Sequence, residues 1–308
     1  MPATDKSGKS GKSENSENSE KNRIRVGGVE VLGLADAHVD PTPWPLSFMY
    51  PSTPLEAFEP YRRRYPDAFS QSGSPDATRT NFTCYVLRSR GQTVLVDAGI
   101  GPPDAPIASA VGTGGSLPER LRTAGVDLDS ISLVVFTHIH PDHIGWATQR
   151  VDGRPRPTFP RARYLVHQAD WDAWQSPEVT RIFGGFDEFI RPLADAGVLE
   201  LTAGEKSLNE ELSTVHTPGH TPGSQSVLIT SGAEQALLIG DAMGHPLQVS
   251  EPDWQSAFDM HSDVAAQTRH RLLDLLESSG MTFAASHFPE PGFGKVVRVQ
   301  GKRYWQAV

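Results

Sequence analysis

The 308-residue sequence predicts an α/β chain of two β-sheets packed together with helices outside. Two observations predict it. Strand-like apolar runs come early, a mixed stretch follows, and strand-like runs return at the end, the order expected of two sheet layers covered by helices. Several of those runs also stop directly at histidine or aspartate, before His138, Asp241 and His287. Strand ends are where α/β architectures place their chemistry. A chain of this length buries a substantial core, and motifs spread along it favour one catalytic unit over residues 23–308.

Residues 1–22 repeat Ser-Gly-Lys and then Ser-Glu-Asn, with no large apolar residue after Met1. Such a segment cannot offset its conformational entropy by burial and is expected to be a disordered tail. Residues 24–38 place Val26, Val29, Val31 and Leu32 around Gly27-Gly28, a hairpin pattern. Residues 41–81 alternate prolines with Trp44, Phe48, Tyr50, Phe58, Tyr61, Tyr65 and Phe69. A loop this long implies a lid over a site, a dimer contact, or a wrap over core surface. Strands follow at 82–87 and 93–97, and Ser116-x-x-Glu119 has capping-box spacing before a helix that Gly125 ends. The run 131–136 is a buried strand by its β-branched content. Another strand, 162–166, leads to a helix carrying Trp171 and Trp174, and 179–196 reads as helix interrupted at Gly184-Gly185. Later come short strands at 213–216, 235–239 and 282–286, an amphipathic helix at 264–276, and a closing hairpin from Lys295 to Trp305.

Composition narrows the function. The net charge of −9 and pI near 5.6 argue against a nucleic-acid groove, because phosphates demand clustered Lys and Arg. The single cysteine, Cys84, falls in a strand and reads as a buried, inert thiol. With neither an apolar N-terminal segment nor a long apolar run, the expectation is a soluble cytoplasmic protein that acts without a membrane.

Chemistry concentrates in Thr137-His138-Ile139-His140-Pro141-Asp142-His143. His138 and His140 alternate along an extended end and can point the same way, while Asp142 and His143 sit on the following turn. The spacing suggests two neighbouring cations, one on His138 and His140, the other on Asp142 and His143. His220, in the rigid turn Thr217-Pro218-Gly219-His220-Thr221-Pro222-Gly223, is a further candidate, as are Asp241 and His287. Histidine and carboxylate ligands suit Zn²⁺ first, and also Mn²⁺, Fe²⁺ or Co²⁺. Paired divalent cations supply hydroxide near neutral pH.

His138-x-His140-x-Asp142-His143, then His220, Asp241 and His287 in that order, resembles the metallo-β-lactamase superfamily, over roughly residues 24–308. The resemblance implies an αββα sandwich of two mixed sheets flanked by helices. It implies that His138, His140 and His220 bind one metal, that Asp142, His143 and His287 bind the second, and that Asp241 bridges them. It also implies that the aspartate of Val96-Asp97-Ala98-Gly99 buttresses the metal loop. Cys84 lies far from every motif and position 241 is Asp, a pattern unlike the zinc enzymes that destroy β-lactams.

The C-terminal third carries a narrower resemblance. Gly240-Asp241-Ala242-Met243-Gly244-His245-Pro246-Leu247-Gln248, Phe258-Asp259, His287-Phe288-Pro289 and Pro291-Gly292-x-Gly294 are similar to the branch with methyl parathion hydrolase, lactonases and arylesterases. This implies a hydrolase whose metal-bridging hydroxide attacks a small, mainly apolar ester, lactone or phosphotriester, with Asp142, Asp241 and His245 in catalytic roles. Candidate pocket walls are Phe82, Trp146, Trp171, Phe183, Phe186, Trp254, Phe288 and Phe293. The resemblance and the aromatic loop together suggest a homodimer. Alternatives on the same fold are an iron-dependent sulfur or oxygen redox enzyme, a hydrolytic dehalogenase of an activated aromatic, and a non-catalytic scaffold.

Overall fold

The computed structural model describes residues 21–308; the tail expected to be disordered lies, for residues 1–20, outside them. Asn22, assigned to that tail, is instead tied in, because its carbonyl accepts from the Gly33 N–H at 2.9 Å. The first half of the chain supplies β1 (Arg23–Val26), β2 (Val29–Val39), β3 (Thr80–Ser89), β4 (Gln92–Val96), β5 (Ile131–Val135), a separate hairpin of β6 (Thr148–Val151) and β7 (Arg154–Pro157), then β8 (Arg163–His167) and β9 (Leu199–Thr202). The second half supplies β10 (Lys206–Ser207), β11 (Leu212–His216), β12 (Gln225–Ser231), β13 (Glu234–Leu238), β14 (Thr282–Ala284), β15 (Phe293–Val299) and β16 (Lys302–Ala307).

Each half makes one seven-stranded sheet, ordered β1-β2-β3-β4-β5-β8-β9 and β10 through β16. Both are mixed: β4, β5, β8 and β9 run parallel, as do β13 and β14, and the other pairs are antiparallel.

Period-2 alternation sorts side chains between layers. Cys84 and Val86 of β3 and Leu95 of β4 face outward into a core roofed by helices. Their neighbours Tyr85, Leu87, Val94 and Val96 face inward and meet Val227, Ile229, Ala236 and Leu238 of the other sheet. Leu237 faces outward onto the long helix Ser262–Ser279 through Leu272, Leu273 and Leu276. The layers are helix, sheet, sheet, helix. Burial pushes the Cys84 thiol well above its ordinary value, in keeping with an inert role.

The Pro- and aromatic-rich segment is not an open loop. It folds into short helical turns at Leu46–Met49, Leu55–Phe58, Glu59–Arg64 and Pro66–Ala68. Leu46, Tyr50, Phe58, Tyr61, Tyr65 and Phe69 are buried over the outer face of the second sheet. Aromatic mass at nearly every turn gives this stretch a core contribution of its own.

The helix at Leu117–Thr123 forms where expected, but Ser116 makes no side-chain cap. Asp36, from β2, takes that place, its carboxylate accepting from Leu117 N–H at 2.6 Å, Ile100 N–H at 2.8 Å and Trp146 Nε1–H at 3.0 Å. Sequence-local pairing lost to a buried acceptor that no local pattern announces. Burial pushes the Asp36 carboxyl above its usual range, against the pull of these donors. The approach is close: a Cβ on Gly115 would lie 1.9 Å from Asp36 Oδ2. Asp36→Ala orphans three buried donors and should lower unfolding stability by roughly 3 kcal/mol, read from a denaturant midpoint.

At one end, the sheets are stitched together by Thr83 N–H to Ser286 O at 3.0 Å, Asn81 Nδ2 to Phe288 O at 2.8 Å and Gln225 Nε2 to Phe136 O at 2.8 Å. No helix among the described residues is long and apolar enough to cross a membrane.

Candidate metal centre

The stitched end is where the ligand-type residues gather. His138 and His140 follow β5, and Asp142 and His143 lie on the single turn Pro141–Ile144. His220 follows β11, Asp241 follows β13, and His287 follows β14. They form two groups: His138, His140 and His220; and Asp142, His143, Asp241 and His287, with donor atoms in each group within 4.8 Å of one another.

In the first group His140 Nδ1 stands 3.1 Å from His138 Nε2 and 2.9 Å from His220 Nε2. The outer partners set the tautomers. His220 Nδ1 faces Asp259 Oδ1 at 3.2 Å, and His138 Nδ1 faces Thr137 Oγ1 at 3.1 Å, whose own proton goes to Asp97 Oδ2 at 2.9 Å. Both imidazoles therefore carry their proton outward and turn lone pairs inward. Lone pairs converging at this spacing repel unless a cation sits among them, and tetrahedral Zn–N bonds of about 2.0–2.1 Å put ligand atoms roughly 3.3 Å apart. The donor set fits a cation. Burial and the neighbouring imidazoles hold His138 and His140 well below their ordinary values, the neutral form a metal requires.

In the second group Asp241 Oδ2 lies 2.9 Å from His287 Nε2 and 3.4 Å from His143 Nε2, and also 3.5 Å from His220 Nε2 of the first group. Asp142 Oδ2 is 3.3 Å from His287 Nε2 and 3.4 Å from His143 Nε2. One oxygen of Asp241 thus touches both groups. The outer nitrogens are again engaged, His143 Nδ1 with Asp97 Oδ2 at 2.9 Å and His287 Nδ1 with the Asn81 carbonyl at 2.7 Å. Burial works against charge on both histidines, but the surrounding carboxylates win, raising His143 well above its ordinary value and His287 to about 10. Here protons occupy the place a cation would take.

Second-sphere residues hold these groups in place. Asp97 accepts from Thr137 N–H at 2.7 Å and sits at φ +62, a left-handed conformation that Asp tolerates. Gly240 lets Asp241 approach, since a Cβ there would fall 2.6 Å from Thr137 Oγ1. Asp170 ties the histidine loop to the His220 turn, accepting from Ile139 N–H at 3.3 Å, Thr221 Oγ1 at 2.9 Å and Gly223 N–H at 2.6 Å. Burial lifts its carboxyl to about 6. Asp259 is anchored by the fully buried Arg269 at 3.0 Å. Asp170, Asn81 and Arg269 carry no spacing that marks them, whereas Thr137 and Asp259 stand in the quoted motifs and Asp97 was expected to buttress the histidine loop, where it accepts from Thr137.

A cavity of about 380 Å³ opens over both groups, lined by His140, Asp142, His220, Asp241 and His287. Its apolar wall comes from Trp44, Phe48, Met49, Phe82, Phe183 and Phe258. Phe82 and Phe183 stand there as expected, and the other expected wall residues do not. Trp146 turns away to bond Asp36, Trp171 packs on Phe186 at 5.2 Å, and Phe186 is fully buried under the first sheet. Trp254 stacks among Tyr50, Phe58 and Tyr61. Phe288, one residue past His287, lies between Phe283 and Trp305 instead, and Phe293 fills the space between the sheets. His245, expected to be catalytic, is also displaced. Its Nδ1 accepts from Leu247 N–H at 3.1 Å, capping the turn Pro246–Val249, and its Nε2 meets the Ala68 carbonyl at 3.2 Å. Both nitrogens are engaged in structure.

A model of the metallo-β-lactamase superfamily matches residues 78–287. The chain belongs to that superfamily. Among curated relatives, protein YobT of Bacillus subtilis (strain 168), uncharacterized, is 25% identical over 73% of this chain and 88% of its own. An N-acyl homoserine lactonase of Bacillus sp is 27% identical over 52% of this chain and 62% of its own, so the match spans less than two thirds of that lactonase. The solved structure of AidC, described as a dizinc quorum-quenching lactonase in complex with a product, superposes with a TM-score of 0.77 at 21% identity, covering 93% of this chain and 96% of that one. The hydrolase AbOPH gives the same values. These two likenesses establish the shared fold.

Asp241→Ala removes the one oxygen common to both groups and should lower the metal content per chain by elemental analysis. His270→Ala, on the surface beside Asp253, should leave it intact. Burial holds His245 down at about 4, so the folded state resists its protonation and loses stability as pH falls from 6.5 towards 4. The loss amounts to roughly 3 kcal/mol once protonation is complete. His245→Asn should flatten that part of the pH dependence in urea midpoints measured between pH 7 and pH 4.

Proposed function

We propose that the protein is a binuclear, zinc-dependent hydrolase of a neutral, mainly apolar lactone or ester. The single observation that carries this reading is Asp241 Oδ2, within 3.5 Å of histidines in both donor groups and on the floor of an apolar cavity. His138, His140 and His220 would hold one cation, Asp142, His143 and His287 the other, with Asp241 shared. Bound there, two divalent cations supply hydroxide at neutral pH and offset charge developing on the carbonyl oxygen.

The chain's own residues do the rest. Asp97, Asp259, Thr137 and the Asn81 carbonyl engage the outer nitrogens of His143, His220, His138 and His287, which turns the inner nitrogens towards the site, where a metal would take the place of any proton. Asp142 lines the cavity with 18% of its side chain exposed. It can take the proton of the attacking water and return it to the leaving oxygen as the acyl C–O bond breaks. In a lactone that oxygen stays tethered to the product. Trp44, Phe48, Phe82, Phe183 and Phe258 exclude water around the substrate body. No Lys or Arg among the described residues lines the cavity, which disfavours substrates that need a side-chain cation for a carboxylate or phosphate. Relatives bearing the name N-acyl homoserine lactonase make a lactone the first substrate to try.

The test is elemental analysis of protein purified without added metal, paired with turnover of a γ-lactone, an aryl ester, a phosphotriester and a β-lactam. About two zinc ions per chain with cleavage of the lactone is the expected result, the β-lactam remaining intact. One iron per chain with no hydrolysis would overturn the reading.

A further inference from the structure

Between the turn Pro246–Val249 and the helix Ser262–Ser279 the chain forms neither helix nor strand, yet this stretch carries part of the cavity wall, Ser256, Ala257 and Phe258. Irregular backbone has no ladder of its own, so its position must come from bonds made outside it. Ala257 N–H donates to the Met49 carbonyl at 2.8 Å, and Phe258 meets Trp44 and Phe48 edge-on at 5.5 and 5.8 Å. Further on, Met260 N–H and His261 N–H donate to the carbonyls of His220 and Gly219, each at 2.9 Å. The wall thus touches the aromatic segment on one side and the histidine turn on the other.

Arg269 is the side chain around which this stretch folds. Among the described residues it is the one lysine or arginine that is fully buried. Its Nε donates to the Pro252 carbonyl at 2.6 Å, its Nη2 to the Trp254 carbonyl at 3.5 Å and its Nη1 to Asp259 Oδ2 at 3.0 Å. The other oxygen of Asp259 faces His220 Nδ1 at 3.2 Å. An ion pair this dry gains little over apolar side chains of equal volume, because both partners give up water. What a guanidinium adds is a rigid fork of donors that meets acceptors at three points of the chain at once. Two of those acceptors shape the wall, and the third backs a ligand-type histidine.

We propose that Arg269 is a positioning residue for both parts of the site. Through Asp259 it orients His220 and strengthens it as a metal ligand; through the Pro252 and Trp254 carbonyls it sets the wall that the substrate body meets. The assignment rests on the binuclear hydrolase reading above. A carboxylate on the outer nitrogen makes an imidazole a better donor to a cation, and losing such a partner costs about 10–100-fold in metal affinity. Arg269 does not line the cavity, so both effects are indirect. They separate by chemistry: Asp259 needs a positive charge beside it, which lysine supplies, whereas the spread of carbonyls needs the fork.

The experiment measures zinc affinity by competition with a chromophoric chelator on the full chain and four variants. It also measures KM at saturating zinc for whichever of the γ-lactone and aryl ester the wild type cleaves. Arg269→Met and Asp259→Asn should each weaken zinc binding by about 10–100-fold. The double variant leaves no buried charge unpaired and should bind zinc no more weakly than either single variant, since the two residues act in series. Arg269→Lys should keep zinc affinity within about threefold of the wild type while KM rises about 3–10-fold and kcat stays within about twofold. Additive zinc losses in the double variant would make the residues independent and overturn the proposal. So would an Arg269→Lys chain with unchanged KM, or with zinc affinity as low as that of Arg269→Met. Where Arg269→Met alone does not fold, the double variant and Asp259→Asn decide: equal zinc affinity supports series action, and a further loss overturns it. A wild type that binds no zinc, or cleaves neither substrate, would instead overturn the hydrolase reading and the assignment with it.

Discussion

Inward-facing lone pairs and carboxylates cannot be crowded into a low-dielectric pocket without positive charge among them. This constraint organises the structure. On the histidine-only side the outer nitrogens of His138 and His220 face Thr137 and Asp259, so their inner nitrogens converge with His140 Nδ1 as a donor set that fits a cation. On the carboxylate side protons can stand in, because Asp241 and Asp142, with Asp97 at His143, favour the charged forms of His143 and His287 against their burial. The second sphere has one purpose seen from both sides: it spends the outer nitrogen of four of the five imidazoles so that the inner one is left for metal. His140 is the exception, buried with an unpartnered Nε2 and packed against Phe183 at 4.5 Å, oriented by ring contact alone.

Backbone and amide bonds join the two sheets at the end where the ligand-type residues gather. Thr83 to Ser286, Asn81 to Phe288 and Gln225 to Phe136 fasten strands from opposite halves. Asn81 is the pivot, its side chain bridging to Phe288 and its carbonyl aiming His287. The buried aromatic cover from residues 46–69 closes the outer face of the second sheet and, through Trp44, Phe48, Met49 and Tyr50, reaches round to the cavity. One segment is both wrap and wall.

The candidate metal ligands were legible because a ligand set needs particular side chains at strand ends, and strands can be read from period and β-branching. His138 to His143, His220, Asp241 and His287 come together as their spacing and the resemblance implied. Pocket walls were not legible, since an aromatic is equally at home in core and cavity, and one residue of rotation decides which. Phe82 faces the cavity while Phe288, adjacent to a ligand-type histidine, packs on Trp305 in the core outside the second sheet. His245 misled for a related reason: closeness to Asp241 in sequence says nothing of whether a backbone carbonyl and N–H have already claimed its ring. Asp36 and Asp170 escaped notice because a buried acceptor is defined by donors that arrive from remote parts of the chain.

Of the seven converging residues, His138, His140, Asp142 and His143 belong to the sheet built by the first half of the chain, and His220, Asp241 and His287 to the sheet built by the second. A cation held by both sets closes chain loops of many tens of residues. In a protein whose lone cysteine cannot form an internal disulfide, cations bound as proposed would cross-link the folded state alone, adding their binding free energy to folding where a disulfide of the same span restricts the unfolded chain. On the proposed reading the halves of the molecule would be fastened by the same ions that carry its chemistry, and losing them would loosen the seam as well as silence the site.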